Sequence, residues 1–110
     1  MKKLCAFDYT DARDYLLDHQ KSTEFPWSLG YRGVSQKVGV TKGYFWLCLH
    51  GQRPFARKVC EKLPKLLKIP ANESAYLRVL LYMADLDMEK NLKREIIEKF
   101  RPAKYKTARK

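Results

Sequence analysis

The side chains of this chain that could do chemistry are concentrated in its middle third, where basic and aromatic residues alternate. Lys42, Arg53 and Arg57 could pair with phosphate oxygens, and the rings of Tyr44 and Trp46 could stack on a base. Catalytic residues are not grouped in this way, because the sequence contains no Gly-rich phosphate loop, no Gly-x-Ser-x-Gly and no His-Glu-x-x-His. We therefore expect a binding protein and not an enzyme.

The net charge of +11 is unevenly distributed along the 110 residues. Residues 28–68 contain nine basic side chains and a single acidic one, Glu61. The last ten residues, 101–110, add five basic side chains and no acid. Because a solvated surface normally mixes both signs, this distribution predicts one basic face and a basic C-terminal arm. Such surfaces favour acidic partners, with nucleic acid first among them.

The chain contains three cysteines, Cys5, Cys48 and Cys60, and none of them belongs to a Cys-x-x-Cys pair. An odd number of cysteines without pairing motifs is typical of a reducing compartment, so we expect buried thiols, no metal site and no cofactor. The start of the chain lacks the apolar run of a secretory leader, and no apolar run is long enough to cross a bilayer. We expect a cytoplasmic protein that does not insert into membranes.

The basic and aromatic residues of the middle third are expected to lie on helices, because apolar residues recur at helical spacing along the chain. No segment shows the alternation of apolar and polar residues that is typical of a strand. We predict an all-α fold, with a compact domain of five or six helices over residues 1–100 and a basic tail over residues 101–110. Asp8 is predicted to cap the first helix, and Pro54 to lie in the first turn of a later one. Pro64 is predicted to kink or break that later helix, because proline removes a backbone hydrogen bond.

Residues 31–50 have the features of two short helices joined by a tight turn. Val34 and Val38 would face inward from the first helix, and the small Ser35 would let the second helix cross closely. Gly39 would form the turn, because a positive φ costs least in a residue without a β-carbon. The second helix has an N-cap, three inward residues and a terminating glycine, namely Thr41, Phe45, Cys48, Leu49 and Gly51.

This pattern resembles the helix-turn-helix of the lambda-repressor-like (Xre-type) family. Beyond the motif, the order of segments over residues 6–86 is similar to the N-terminal part of a bacterial helix-turn-helix family whose members are mostly uncharacterised. The segments that carry this similarity are Gly51-Gln52-Arg53, Glu61-Lys62-Leu63 and Glu73-x-Ala75-Tyr76-Leu77. The resemblance implies a small transcriptional regulator that binds double-stranded DNA with its second helix in the major groove. A module of this size is expected to act as a homodimer.

The resemblance also assigns the residues that would contact DNA. Thr41, as N-cap, would leave backbone N–H groups free for a phosphate, and Lys42 could donate to O6 or N7 of guanine. Gly43, Tyr44 and Trp46 would lie in the same groove. The basic tail could follow the backbone or enter a minor groove. The expected phosphate contacts beside the helix are Tyr31, Arg32, His50, Gln52, Arg53, Arg57 and Lys58.

Two other functions remain open, because Tyr44, Trp46 and Leu47 are expected to point partly or wholly outward, where they offer few hydrogen-bond donors to bases. The two aromatic rings could instead stack on a purine while Arg53 and Arg57 hold phosphates, as in a signalling module that binds a cyclic dinucleotide of the guanine second-messenger type. Alternatively, an apolar face around Trp46 could bind a protein partner, and the chain would then be an adaptor. Trp46 could also be packed beneath the C-terminal helix.

Overall fold

The computed structural model describes residues 4–21, 25–84 and 89–102, and every regular element in these ranges is helical. The α-helices are α1 (Ala12–Gln20), α2 (Gly30–Val38), α3 (Lys42–Leu49), α4 (Arg57–Leu66), α5 (Ala71–Met83) and α6 (Lys90–Phe100). Short 3-10 segments, Ala6–Asp8 and Trp27–Leu29, precede α1 and α2. The predicted all-α fold is thus confirmed. Within the described ranges, no helix combines the length and the apolar character that crossing a bilayer would require.

One hydrophobic core draws side chains from all of these helices. α5 is its central element, because it packs against α1, α4, α6 and the first 3-10 segment. Burying one large apolar side chain stabilises a fold by about 1.5–3 kcal/mol. Because α5 buries several such side chains against its neighbours, it contributes much of the packing energy that holds the other helices together. Its most deeply buried side chains are Tyr76, Leu77, Leu80 and Leu81.

α1 begins later than the sequence predicts. Asp8 lies in the first 3-10 segment, and the cap of α1 is Asp11. The Asp11 carboxylate accepts hydrogen bonds from the backbone N–H groups of Arg13, at 2.8 Å, and Asp14, at 3.4 Å. The backbone is extended at Tyr9 and at Asp11, so Asp8 is separated from the first turn of α1.

The two proline predictions for α4 have different outcomes. Pro54 does not lie in the first turn, because the connection stays extended until α4 begins at Arg57. Pro64 lies inside α4 and does not break it, since the helix continues to Leu66. The missing hydrogen bond is the one to the carbonyl of Cys60, and it lies in the C-terminal half of a helix that ends at Leu66.

The end of α6 is fixed to the N-terminal segment by Arg101. Its Nε and Nη2 donate to the carbonyl of Phe7 at 3.0 and 2.7 Å, and its Nη1 lies 2.8 Å from Oε2 of Glu98. The Arg101 side chain is only 9% exposed. The sequence-based division at residue 101 assigns Arg101 to the basic tail, but its side chain packs with the helical domain. The remainder of the tail, residues 103–110, lies outside the described residues.

Candidate functional site

α2 and α3 are joined by a turn whose geometry is set by backbone hydrogen bonds. Gly39 ends α2 with φ +83°, and the two N–H groups that follow α2 donate to the carbonyls of Gln36 and Ser35. This is a Schellman motif, which requires a left-handed residue and fixes the direction in which the chain leaves the helix. Thr41 then begins α3, because its Oγ1 accepts a hydrogen bond from the N–H of Tyr44 at 3.2 Å.

α3 also ends with a Schellman motif. Gly51 has φ +78°, its N–H donates to the carbonyl of Cys48, and the N–H of Gln52 donates to the carbonyl of Leu47 at 2.9 Å. Both turn glycines predicted from the sequence therefore adopt the left-handed conformation. Because a Schellman motif precedes α3 and another ends it, the local sequence fixes the eight-residue length of this helix.

The inward faces of α2 and α3 are those that the sequence predicts. The ring of Phe45 lies at the centre of this contact, 6.1 Å from the ring of Tyr31 and 6.4 Å from that of Trp27. Two of the cysteines, Cys48 and Cys60, are buried as expected. The other fully or nearly fully buried residues of the two helices are Val34, Ser35, Val38 and Leu49.

Arg13 of α1 holds the C-terminal end of α3, and the sequence did not indicate this role. Its Nε donates to the carbonyl of Cys48 at 2.7 Å, and its Nη2 donates to the carbonyl of Arg53 at 3.1 Å. Its guanidinium carbon also lies 4.8 Å from the centre of the Phe55 ring. Carbonyls at a helix C-terminus carry partial negative charge, so this cation both caps α3 and fixes its position against α1.

The outer face of α3 is exposed. Trp46 is 43% exposed, and its ring stacks on the imidazole of His50 with a centroid distance of 4.1 Å. Lys42 lies one turn before Trp46, so that residues 42, 46 and 50 follow one another along the same side of the helix. Gly43 is exposed beside them, and apart from its chain neighbours and the backbone of α3, no atom of the described residues lies within 4 Å of the position that a β-carbon would take there. The packed alternative for Trp46, beneath the C-terminal helix, does not fit this exposure.

Tyr44 does not share the outer face of α3. Its hydroxyl donates to the carbonyl of Pro54 at 2.9 Å, and its side chain is half-buried against the connection to α4. Residues two apart on a helix do not face each other, so the rings of Tyr44 and Trp46 diverge. This divergence disfavours the aromatic part of the cyclic-dinucleotide hypothesis, in which both rings stack on one purine.

The basic residues of the central segment all reach solvent. Lys58 on α4 donates from Nζ to the carbonyl of Gly39 at 2.9 Å. A β-carbon on Gly39 would lie 3.7 Å from Nζ of Lys58 and 3.8 Å from Nζ of Lys62. Two ammonium groups therefore stand at the turn that leads into α3, and Lys62 had not been predicted there. The exposed basic side chains are Arg32, Lys37, Lys42, Arg53, Arg57, Lys58, Lys62, Lys65 and Lys68.

Arg57 has an acidic neighbour on its own helix. Its Nε lies 3.5 Å from Oε2 of Glu61, and the hydroxyl of Tyr82 donates to the same oxygen at 2.7 Å. The Tyr82 hydrogen bond is the main cause that lowers the pKa of Glu61, and the same bond raises the pKa of Tyr82. An exposed ion pair of this kind contributes little to the free energy of folding. Arg57 can therefore leave Glu61 and bind another anion at small cost.

Tyr31 and His50 lie at the boundary of the basic surface. They line an open cleft together with Asp14 and Asp18 of α1. The Tyr31 hydroxyl is hydrogen-bonded to the side-chain amide of Gln20, which is 3.0 Å away. Because carboxylates repel phosphates, Tyr31 is a poor phosphate contact, whereas His50 stands between this cleft and the outer face of α3.

Gln52 and Arg53 follow the end of α3, and both are exposed. The structure therefore brings Lys42, Gly43 and Trp46 together on one face and leaves Tyr31 and Tyr44 outside it.

No group of three His, Cys, Asp or Glu side chains that could hold a metal ion occurs among the described residues. No protein-family model, curated protein or solved structure matches this chain. The site is interpreted below from its own geometry.

Proposed function

We propose that this chain is a DNA-binding protein of the helix-turn-helix type, and that it regulates transcription with α3 in the major groove. The observation that carries this proposal is the exposed outer face of α3, which has a glycine turn at each end and lysines of α4 beside its N-terminus. A single α-helix fits the major groove of B-DNA, which is about 12 Å wide.

The electrostatics of the central segment support the same proposal. All nine basic side chains of residues 28–68 are exposed, and the only acid among them, Glu61, is already bonded to Tyr82 and Arg57. Each phosphate that such a surface neutralises releases condensed counterions from the DNA. The logarithm of the binding constant should then fall by about 0.9 per phosphate for each tenfold rise in salt.

Individual roles follow from position on the proposed interface. The first-turn N–H groups of α3, next to Thr41, would bind a phosphate, because the N-terminus of a helix attracts anions. Lys42 would donate to a base edge, and Arg32, Arg53, Arg57 and Lys58 would flank it at the phosphates. Two copies would bind half-sites about 34–36 Å apart, since one module of this size binds DNA weakly.

The proposal is tested by selecting duplexes from a random library and measuring their affinity by fluorescence anisotropy. We expect a selected sequence, and a Kd that rises at least tenfold between 50 and 200 mM NaCl, as for two or more phosphates. Lys42→Ala should change the sequence preference, whereas Lys90→Ala on α6, the matched control, should not. Failure to select a sequence, or an affinity that is indifferent to salt, would contradict the proposal.

A protein-binding adaptor is the second candidate, because Trp46 is 43% exposed and tryptophan is enriched among the residues that dominate binding contacts. Sequence selectivity and the Lys42→Ala variant separate the two functions, because non-specific binding of a basic protein to DNA also depends on salt. An adaptor would bind duplexes of any sequence equally poorly, and Lys42→Ala would leave that weak binding unchanged.

A further inference from the structure

The outer face of α3 offers unusually few hydrogen-bond donors for reading bases. The helix sequence is Lys-Gly-Tyr-Phe-Trp-Leu-Cys-Leu, and it contains none of the Arg, Asn or Gln side chains that make bidentate contacts with guanine or adenine. The hydroxyl of Tyr44 is used by Pro54. Lys42 and the large apolar ring of Trp46 therefore dominate what this face can present to a base pair.

The Trp46 ring is held in place before any ligand arrives. Its stacking on His50, at 4.1 Å and with an interplanar angle of 27°, covers part of one indole face and restricts the rotation of the side chain. The rest of the indole stays open to solvent. A side chain that is already ordered loses less conformational entropy on binding, so its contact with a ligand is more favourable.

The residue one turn before Trp46 leaves room beside the indole. Gly43 lies three positions earlier on the same side of α3, and a β-carbon placed there would be more than 4 Å from every side chain that the structure describes, its chain neighbours aside. Glycine inside a helix costs about 0.5–1 kcal/mol relative to alanine, so this gap is unfavourable for the helix by itself. The gap lets a ligand approach the backbone of α3 and touch the ring of Trp46 at the same time.

We propose that Trp46 recognises the C5-methyl group of thymine in the major groove, and that this apolar contact beside Lys42 selects the binding sequence. The inference rests on the proposed function. The thymine methyl is the apolar group that base pairs of unmodified DNA present in the major groove, and apolar side chains read it by contact. The indole and the gap at Gly43 form a matching apolar surface, whereas the only charged hydrogen-bond donor among the side chains of α3 is Lys42.

The test replaces each thymine of a selected duplex by deoxyuridine, one position at a time, and measures the affinity of the unmodified protein. This change removes one methyl group and leaves all hydrogen-bonding groups of the base intact. Burying one methyl is worth a factor of about four in affinity, so at one or two positions the Kd should rise about fourfold. At the same positions Trp46→Ala should bind thymine and uracil duplexes equally. Leu92→Ala, an equally exposed apolar residue on α6, should retain the full difference.

The outcomes separate the inference from the function on which it rests. Salt-dependent, sequence-selective binding that ignores every uracil substitution would overturn the role of Trp46 and leave the DNA-binding proposal standing. The role would also be overturned if Trp46→Ala discriminated against uracil as strongly as the unmodified protein does. Absence of salt-dependent binding would instead remove the proposed function itself. The key comparison uses the unmodified protein, so it does not depend on the folding of a variant.

Discussion

Nε of Arg13 on α1 lies 2.7 Å from the carbonyl oxygen of Cys48 in the last turn of α3 and donates a hydrogen bond to it. The same guanidinium donates to the carbonyl of Arg53 and lies over the ring of Phe55. One side chain thus connects α1, the end of α3 and the segment that leads to α4. The orientation of α3 depends on a residue outside the two-helix motif.

Arg13→Met should lower the free energy of unfolding by about 2–4 kcal/mol. The substitution removes two hydrogen bonds that a charged side chain donates, and the carbonyls of Cys48 and Arg53 lose this donor. Urea denaturation followed by circular dichroism measures this change. Arg32→Met is the matched control, since Arg32 is an exposed arginine on α2 and its loss should cost less than about 0.5 kcal/mol. Equal effects of the two substitutions would show that Arg13 has no special role.

The two glycines at positions 39 and 43 should respond oppositely to the same substitution. Gly39→Ala places a β-carbon at φ +83°, only 3.2 Å from Cδ of Lys58, and should destabilise the protein by about 1–2 kcal/mol. Gly43→Ala fills open space in a helix and should stabilise it by about 0.5–1 kcal/mol. Thermal melting of both variants shows whether each substitution raises or lowers the melting temperature. Gly43→Ala should nevertheless weaken DNA binding, and a gain in affinity would contradict the place of this residue in the interface.

Two buried tyrosines differ in whether their hydroxyl has a partner. The hydroxyl of Tyr15 is fully buried and has no hydrogen-bond partner among the described residues, whereas that of Tyr76 donates to the carbonyl of Tyr9 at 2.6 Å. Tyr15→Phe should therefore leave the free energy of unfolding unchanged or raise it by about 1 kcal/mol, while Tyr76→Phe should lower it by about 1 kcal/mol. Chemical denaturation of the two variants compares them directly, and a large loss for Tyr15→Phe would reveal a partner for its hydroxyl.

Asp18 should contribute to the acid sensitivity of the fold. The hydroxyl of Tyr9 donates to its carboxylate at 2.7 Å, and this bond, followed by the effect of Lys21, holds the pKa of Asp18 below its ordinary value of 3.8. Since the unfolded chain binds the proton more tightly, the contribution of Asp18 is present above about pH 3.8 and is lost as the pH falls towards the lower folded-state pKa.

An NMR titration of the side-chain carboxyl carbons measures this pKa. Tyr9→Phe should raise the pKa of Asp18 towards 3.8 and leave that of Glu61 in place, because Glu61 is bonded to Tyr82 instead. A pKa of Asp18 that is already ordinary in the unmodified protein would contradict the hydrogen bond.

The local features of the motif could be predicted from the sequence because a few neighbouring residues determine them. The left-handed conformations at Gly39 and Gly51 and the cap at Thr41 depend on hydrogen bonds within one or two turns. Asp8 shows the limit of this reasoning. Asp8 is a good capping residue by type, but the chain that follows it is extended, so α1 begins three residues later and Asp11 is its N-cap.

The contacts made by Arg13 and Arg101 could not be predicted in this way. Their hydrogen bonds join residues 35 and 94 positions apart, and no periodicity or spacing marks either arginine. The sequence predicts that Trp46 points outward together with Tyr44, but it could not decide which of the two rings a neighbouring segment covers, because apolar residues occupy every side of α3 from Tyr44 to Leu49. Only the packing of α3 against α1 and α2 decides which of these side chains is left outside.

The central claim, that the outer face of α3 binds DNA, is tested most directly by adding a duplex to the ¹⁵N-labelled protein and following its amide and indole resonances. We predict that the largest shifts occur at Thr41, Lys42 and Gly43 and at the indole N–H of Trp46. The indole N–H of Trp27, which is bonded to His19 inside the fold, should stay in place as the internal reference. Shifts confined to α5 and α6, or none at all, would contradict the claim.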